Sequence, residues 1–383
     1  MGNKPSSQRK KKSTNRELDV TSILSKSNEK NETFIGISLS HLRCLLDVLG
    51  ISKNEQRELD FYAVTENIKQ FTKNLAHSDR SYVSYVKIQD SEPESKIGFA
   101  EYFVSYAWAG NFLQTVQALV DHFQDKNPYL FVDFVCLDQH KIAETNGKMT
   151  FDELGDRFCS TLRTIGEAVI VLTPGQNPLA RNRCWCCFEW AQFELLNITH
   201  SYCVPQEDVL NLIRDMKARK IGFAYYNNIF ASINVMKAKA SNKNDEKNIL
   251  ELIQKIGVDK VNNIVLNSIK HWFIEVCKQG LKDSTVTAKE KVGILNSHGA
   301  IYQALGQYDN ALPFYEDAAK LTKTIPNNEK QVATQLNNLA RLLRDTGKKA
   351  EARQLGREAY RIDLKVLGSN HPQTKNLQYW NTF

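Results

Sequence analysis

The sequence predicts an α/β domain built on a parallel sheet over residues 98–240, followed by an all-α helical array over 285–383. Three observations carry that prediction. Short apolar, β-rich runs alternate with amphipathic stretches between Phe99 and Tyr226. Those runs are too uniformly apolar for a sheet wetted on one face, so helices must cover both sides. Small residues then recur at a fixed offset of 41 through the last hundred positions, a spacing that marks stacked helical hairpins.

The composition fits both parts. With 42% hydrophobic and 10% aromatic residues in 383, the chain can build two or three cores. No apolar run approaches the roughly 18 residues that cross a bilayer, and the N-terminus has no apolar secretory core. The eight cysteines are scattered through apolar segments, the usage of reduced thiols in a cytoplasmic protein. The net charge of +7 is concentrated in Lys4, Arg9, Lys10, Lys11, Lys12 and Arg16, which leaves about +1 for the rest. So neutral a body excludes a broad nucleic-acid-binding face.

Residues 1–36 read as a disordered basic tail. Its start, Met1-Gly2-Asn3-Lys4-Pro5-Ser6, fits the pattern for myristoylation of Gly2. One acyl chain binds membrane only marginally, and the run Arg9–Lys12 would add attraction to anionic lipid at the inner face of a membrane. A plain localisation signal is the alternative. Residues 37–97 are expected to be a helical lead-in, with Leu39, Leu42, Leu45 and Leu46, then Phe61, Val64, Ile68 and Phe71, at helical spacing.

The α/β elements follow in order. Tyr102–Tyr106 is a short strand, Phe112–Phe123 an amphipathic helix, and Tyr129–Leu137 a nearly all-apolar run read as one buried strand. Phe151–Ile165 is helical in spacing, Ala168–Thr173 is a third strand, and Cys184–Leu196 is again helical. Weaker strands are expected at Ser201–Val204 and Phe223–Tyr226, around a helix at Glu207–Lys217. Ligands in such folds sit at the C-terminal ends of the strands.

Within this frame Phe103-Val104-Ser105-Tyr106-Ala107-Trp108 resembles the opening strand of TIR domains, and Phe131-Val132-Asp133 resembles their second strand. Gln139–Thr150 falls where the TIR BB loop would be. Arg183-Cys184-Trp185-Cys186-Cys187-Phe188-Glu189 resembles the W-C-x-x-E box that opens their third helix. The chain is most similar to a divergent TIR-like group in which TPR-like repeats follow. The resemblance implies a flavodoxin-like strand order and an intracellular signalling role.

It also implies a chemistry. Trp185 and Glu189 are four apart and share a helix face. In TIR enzymes that hydrolyse NAD, the glutamate of this box engages the nicotinamide ribose, where a carboxylate stabilises developing oxocarbenium charge. Glu189 is then the catalytic residue. Tyr106 and Trp108 would offer an aromatic surface to the nicotinamide ring, Asp133 or Asp138 would contact a ribose hydroxyl, and Trp185 would line the pocket. NAD is a substrate in this reading, and neither cofactor nor metal is called for. Each residue has a plainer alternative: Trp185 as core, Glu189 as a solvated helix residue, Asp133 as a strand-end cap. Trp190 and Glu194 repeat the same spacing. Many TIR domains are inactive adaptors that work by TIR–TIR assembly, and Ala107-Trp108 stands where some NAD-cleaving members carry basic residues. Cys184, Cys186 and Cys187 lack a zinc-site spacing, no Gly-rich phosphate loop is present, and His140 reads as a loop residue.

In the last segment Gly299, Tyr302, Gly306, Ala311, Tyr315 and Ala318 correspond to Ala340, Leu343, Gly347, Ala352, Gly356 and Ala359. Small residues where two helices cross, with glycine at the turn, form the TPR pattern. Leu367-Gly368-Ser369-Asn370-His371-Pro372 resembles the linker of kinesin-light-chain-type TPRs. Two hairpins are few for a free-standing stack, so connecting helices over 241–284 are expected to supply packing. Two functions stay open: a membrane-tethered, self-associating enzyme that consumes NAD, or a non-catalytic adaptor whose TIR-like and TPR-like surfaces bind proteins.

Overall fold

The computed structural model describes residues 34–145 and 151–383, so Gly2 and the basic run lie outside it. Six strands, β1 (Ile35–Ser38), β2 (Ile97–Phe99), β3 (Tyr102–Ser105), β4 (Tyr129–Phe131), β5 (Glu167–Val171) and β6 (Thr199–Cys203), form one sheet. Their order is β2-β1-β4-β3-β5-β6. Strands β4, β3, β5 and β6 run parallel, whereas β1 pairs antiparallel with both β2 and β4. The sheet is therefore mixed, which corrects the expected parallel sheet. The difference comes from the segment 37–97, read as wholly helical. Its first residues finish β1 and its last begin β2, and strands of 4 and 3 residues are too short to show a period of two. Strand β1 needs Gly36, because a Cβ there would sit 2.8 Å from the Leu130 carbonyl oxygen of β4.

Alternation along the inner strands feeds two cores. Phe103, Ala168 and Ile170 face one, while Val104, Val169 and Val171 face the other. The second core is closed by α1 (Leu39–Val48), α2 (Phe61–Thr72), α3 (Tyr82–Gln89) and α4 (Phe112–Phe123). Ser38, Asp60, Ser81 and Asn111 cap these helices, each accepting a backbone N–H from the first turn. Two short helices, α5 (Asp133–Cys136) and α6 (Gln139–Thr145), follow β4. On the first core lie α7 (Phe151–Ile165), α8 (Cys184–Leu195), α9 (Gln206–Lys217), α10 (Phe223–Ala231), α11 (Lys243–Ile256) and α12 (Val258–Lys282).

Three local readings change. The run Tyr129–Leu137 is strand only to Phe131, and Phe134 sits in α5 against Phe61 and Phe112. Continuous apolar character suits a buried short helix as well as a strand. Phe223–Tyr226 opens α10 rather than forming a strand. Gln139–Thr145 is helical, and the remainder of the expected loop, 146–150, lies outside the described residues.

The array consists of α13 (Ala288–Ala304), α14 (Tyr308–Lys323), α15 (Glu329–Asp345) and α16 (Lys349–Leu367). Its turns carry Gly306 (φ 67°) and Gly347 (φ 82°), in the left-handed region glycine favours. Gly356, where the first repeat has Tyr315, is the seat of Trp380: a Cβ there would lie 2.2 Å from the indole, which is fully buried. Between them α17 (Pro372–Leu377) folds the chain back. Ile294, Ala300 and Ile301 of α13 belong to the same core as α8 to α12, and a Cβ on Gly293 would meet the Met216 carbonyl oxygen at 2.4 Å. Array and sheet domain are joined by packing.

Candidate functional site

Strand β3 ends at Ser105, and the next three residues turn across the C-terminal edge of the sheet. Here two acids converge. The Ser105 hydroxyl donates to Glu189 Oε2 at 2.6 Å, and Trp190 Nε1 donates to Ser105 Oγ at 3.1 Å. Trp108 Nε1 donates to Asp133 Oδ2 at 3.0 Å, and the Tyr106 hydroxyl donates to Asp133 Oδ1. The amide of Phe134 adds a donor to Asp133 at 2.8 Å.

The local folding of α8 aims Glu189 at this edge. The Cys184 amide donates to the Lys239 carbonyl, which anchors the first turn. Cys186 Sγ donates to the Tyr106 carbonyl at 3.2 Å, and Cys187 Sγ donates to the Arg181 carbonyl at 3.3 Å. Burial pushes the Cys184 thiol up to about 11 and the Cys186 thiol well above its ordinary value. The three thiols therefore act as packing groups that fix the helix against β3 and its loop.

The electrostatics follow from desolvation. Glu189 and Asp133 are both half-buried. Burial pushes the Glu189 carboxyl up to about 8; the Ser105 hydroxyl opposes the shift and the nearby Asp133 charge adds to it. Burial also raises Asp133, against the donors from Tyr106 and Trp108. Both carboxyls are thus held toward their neutral forms at one sheet edge, Glu189 in part by the charge of Asp133. Perturbed carboxyls at strand ends are a common signature of function.

Tyr106, Trp108, Asp133 and Glu189 thus come together. Tyr106 does not present a stacking surface: it is 5% exposed, with its ring 4.3 Å from that of Phe61, and only its hydroxyl reaches the site. Asp138 stays outside the group. Desolvation works against its carboxylate, but the amides of Arg80, Lys141 and His140 outweigh it and hold its pKa below the ordinary value. Trp185 is half-buried against the first core, one turn before Glu189. The sequence reading missed Ser105, a polar residue closing a buried strand, and Tyr62, whose ring lies 5.5 Å from that of Trp108. Cavities of about 530 and 540 Å³ lie elsewhere, one beside Asn337, Arg341 and Tyr379, the other beside Leu210, Lys217 and Asp283.

Residues 292–365 match the tetratricopeptide repeat family, and repeats of this kind mediate protein–protein interaction. Among solved structures the chain is similar to BtubC (BKLC) from P. vanneervenii, at TM-score 0.28 and 17% identity. That match covers 46% of this chain and 66% of the other, just under two thirds of its length. A search of curated proteins gave no match. Among the described residues no helix is long and apolar enough to cross a membrane.

Proposed function

We propose that this is a TIR-type signalling protein whose α/β domain cleaves the nicotinamide–ribose bond of NAD while its repeat array binds a partner protein. The observation that carries the reading is the Glu189 carboxyl, raised by burial and held by Ser105 beside Asp133 at the C-terminal end of β3. The order of the four parallel strands, second-first-third-fourth, supports it as a flavodoxin-like arrangement. The nicotinamide ring of NAD is cationic. Bound beside Glu189 and Asp133, it favours their ionised forms, so substrate binding itself charges the site. As the bond breaks, its electron pair leaves with the ring nitrogen as neutral nicotinamide. Positive charge then moves to the ribose, where the carboxylate stabilises it. A water oxygen takes the ribosyl cation, and the proton it releases passes to the acid pair. Trp108 supplies the aromatic face.

The test is incubation of concentrated purified protein with NAD, following nicotinamide and ADP-ribose. Glu189→Gln should lower turnover by about 10²–10³, whereas Glu194→Gln, at an exposed position five residues along, should leave it unchanged. NAD left intact by the folded wild type would sink the catalytic reading. The tetratricopeptide match then favours the adaptor, in which both regions only recruit proteins.

A further inference from the structure

Arg183, which precedes α8, has an arrangement the carboxyl chemistry does not explain. Its Nη2 donates to the Tyr62 hydroxyl at 2.8 Å and to Ser241 Oγ at 2.9 Å, and those two hydroxyls also bond each other. Arg80 and Arg344 pair with carboxylates, whereas the hydrogen bonds of Arg183 go to hydroxyls. With both Nη2 hydrogens engaged, Nε–H on one side of the guanidinium and the Nη1 hydrogens on the other remain, each able to donate to a single anionic oxygen. The helix start behind it adds positive potential.

The position of this guanidinium gives the anion its identity. From Asp133 the chain of contacts runs through Trp108 to Tyr62 and on to Arg183 and Ser241. This chain of contacts has acidic groups at its inner end and an arginine at its outer end, with two aromatic rings between them. A ligand that fits is cationic at one end, aromatic along its length and anionic further out.

We propose that Arg183, oriented by the Tyr62 and Ser241 hydroxyls, binds the diphosphate of the dinucleotide whose nicotinamide ribose Glu189 and Asp133 receive. This rests on the NAD-cleaving reading for the identity of the dinucleotide. Arginine suits the task because it stays charged at any working pH and its remaining hydrogens can each meet a phosphate oxygen. The hydroxyls hold the fork in place without neutralising it, as a carboxylate partner would.

Two measurements test the proposal, the second of them independently of that reading. The first compares cleavage of NAD with cleavage of nicotinamide riboside, which lacks the diphosphate. Arg183→Met should lower kcat/KM for NAD by about 10–100-fold, the size of a charged hydrogen bond, and leave the riboside value where it was. Equal losses on both substrates would make Arg183 a support for the fold and overturn the proposal. The second is calorimetric binding of ADP-ribose and of adenosine, which requires no turnover. Wild type should bind ADP-ribose and Arg183→Met should bind it at least about tenfold more weakly, with adenosine affinity the same in both. Equal ADP-ribose affinity in the two proteins, or binding to neither, overturns the assignment. If the wild type cleaves neither substrate yet shows the ADP-ribose difference, the catalytic reading alone fails. Should Arg183→Met not fold, the Tyr62→Phe/Ser241→Ala double variant replaces it. That variant keeps the charge and loosens its aim, with a loss of about three- to tenfold expected for ADP-ribose and unchanged affinity overturning the proposal.

Discussion

The sheet-edge site and the repeat array are assembled over different reaches of sequence. Ser105 and Glu189 meet across 84 positions and Trp108 and Asp133 across 25. In the array, each helix packs mainly on its neighbours in the chain, and the turn glycines repeat between Gly306 and Gly347. The two regions also treat buried acids differently. Asp363 in α16 is fully buried, and desolvation raises its pKa against Gln373, His371 and Lys330. Glu189 and Asp133 keep some exposure and have hydroxyl and indole donors aimed at them. A repeat places its polar residues by period. The site places its own by joining distant segments.

That contrast can be broken most forcefully from the array side. Trp380→Ala removes the indole seated on Gly356 and should cost about 3–5 kcal/mol, read as an early transition in thermal melting with the proposed NAD cleavage retained below it. Simultaneous loss of cleavage and array would mean the two regions cannot be separated. Gly293→Ala attacks the seam, where its Cβ would meet the Met216 carbonyl, and a cost of about 1–3 kcal/mol is expected. Unlike Trp380→Ala, it should broaden both transitions, and an unshifted melt would disprove a tight seam.

The acids provide finer tests. If Glu189 must be ionised, kcat/KM should rise about tenfold per pH unit up to a midpoint near the Glu189 value of about 8. In kcat the midpoint should be lower, since the bound nicotinamide cation favours the carboxylate. For stability the sign is set by a folded pKa raised above the unfolded one. The neutral carboxyl's contribution is complete below about pH 4.5 and is lost as pH climbs through about 8. Glu189→Gln should therefore melt with the wild type at pH 4 and above it at pH 9, and the reverse order would refute the assigned shift. Asp363→Asn, also at a raised acid, should give a smaller gain of the same sign with no change in cleavage.

The inner strands were legible because Val104, Val169 and Ile170 lie in uniformly apolar runs, and the array because its small residues repeat. Strands β1 and β2 were not. Ile37 directly precedes a helix whose spacing absorbs it, and an edge strand of 3 residues has no pattern to show. Phe134 and Phe223 were assigned to strands because aromatic apolar residues serve strands and buried helices alike. In the site, Glu189, Asp133 and Trp108 could be picked out by their resemblance to a family motif. Arg183 stood in that motif without an assigned role, and Tyr62 stood far from it, because only the folded chain brings α2 beside the loop after β3. Asp138 misled through nearness in sequence to Asp133; its carboxylate instead serves the amides of its own helix start and of Arg80.

Ser105 and Tyr106 are consecutive and point to opposite sides of the sheet, one toward α8 and Glu189, the other toward the Phe61 cluster and Asp133. The donors that grip the two acids are therefore separated by a single peptide unit, about 3.8 Å between α-carbons. The two grips are tied to each other through that one peptide unit, although the acids they hold come from elements far apart in sequence.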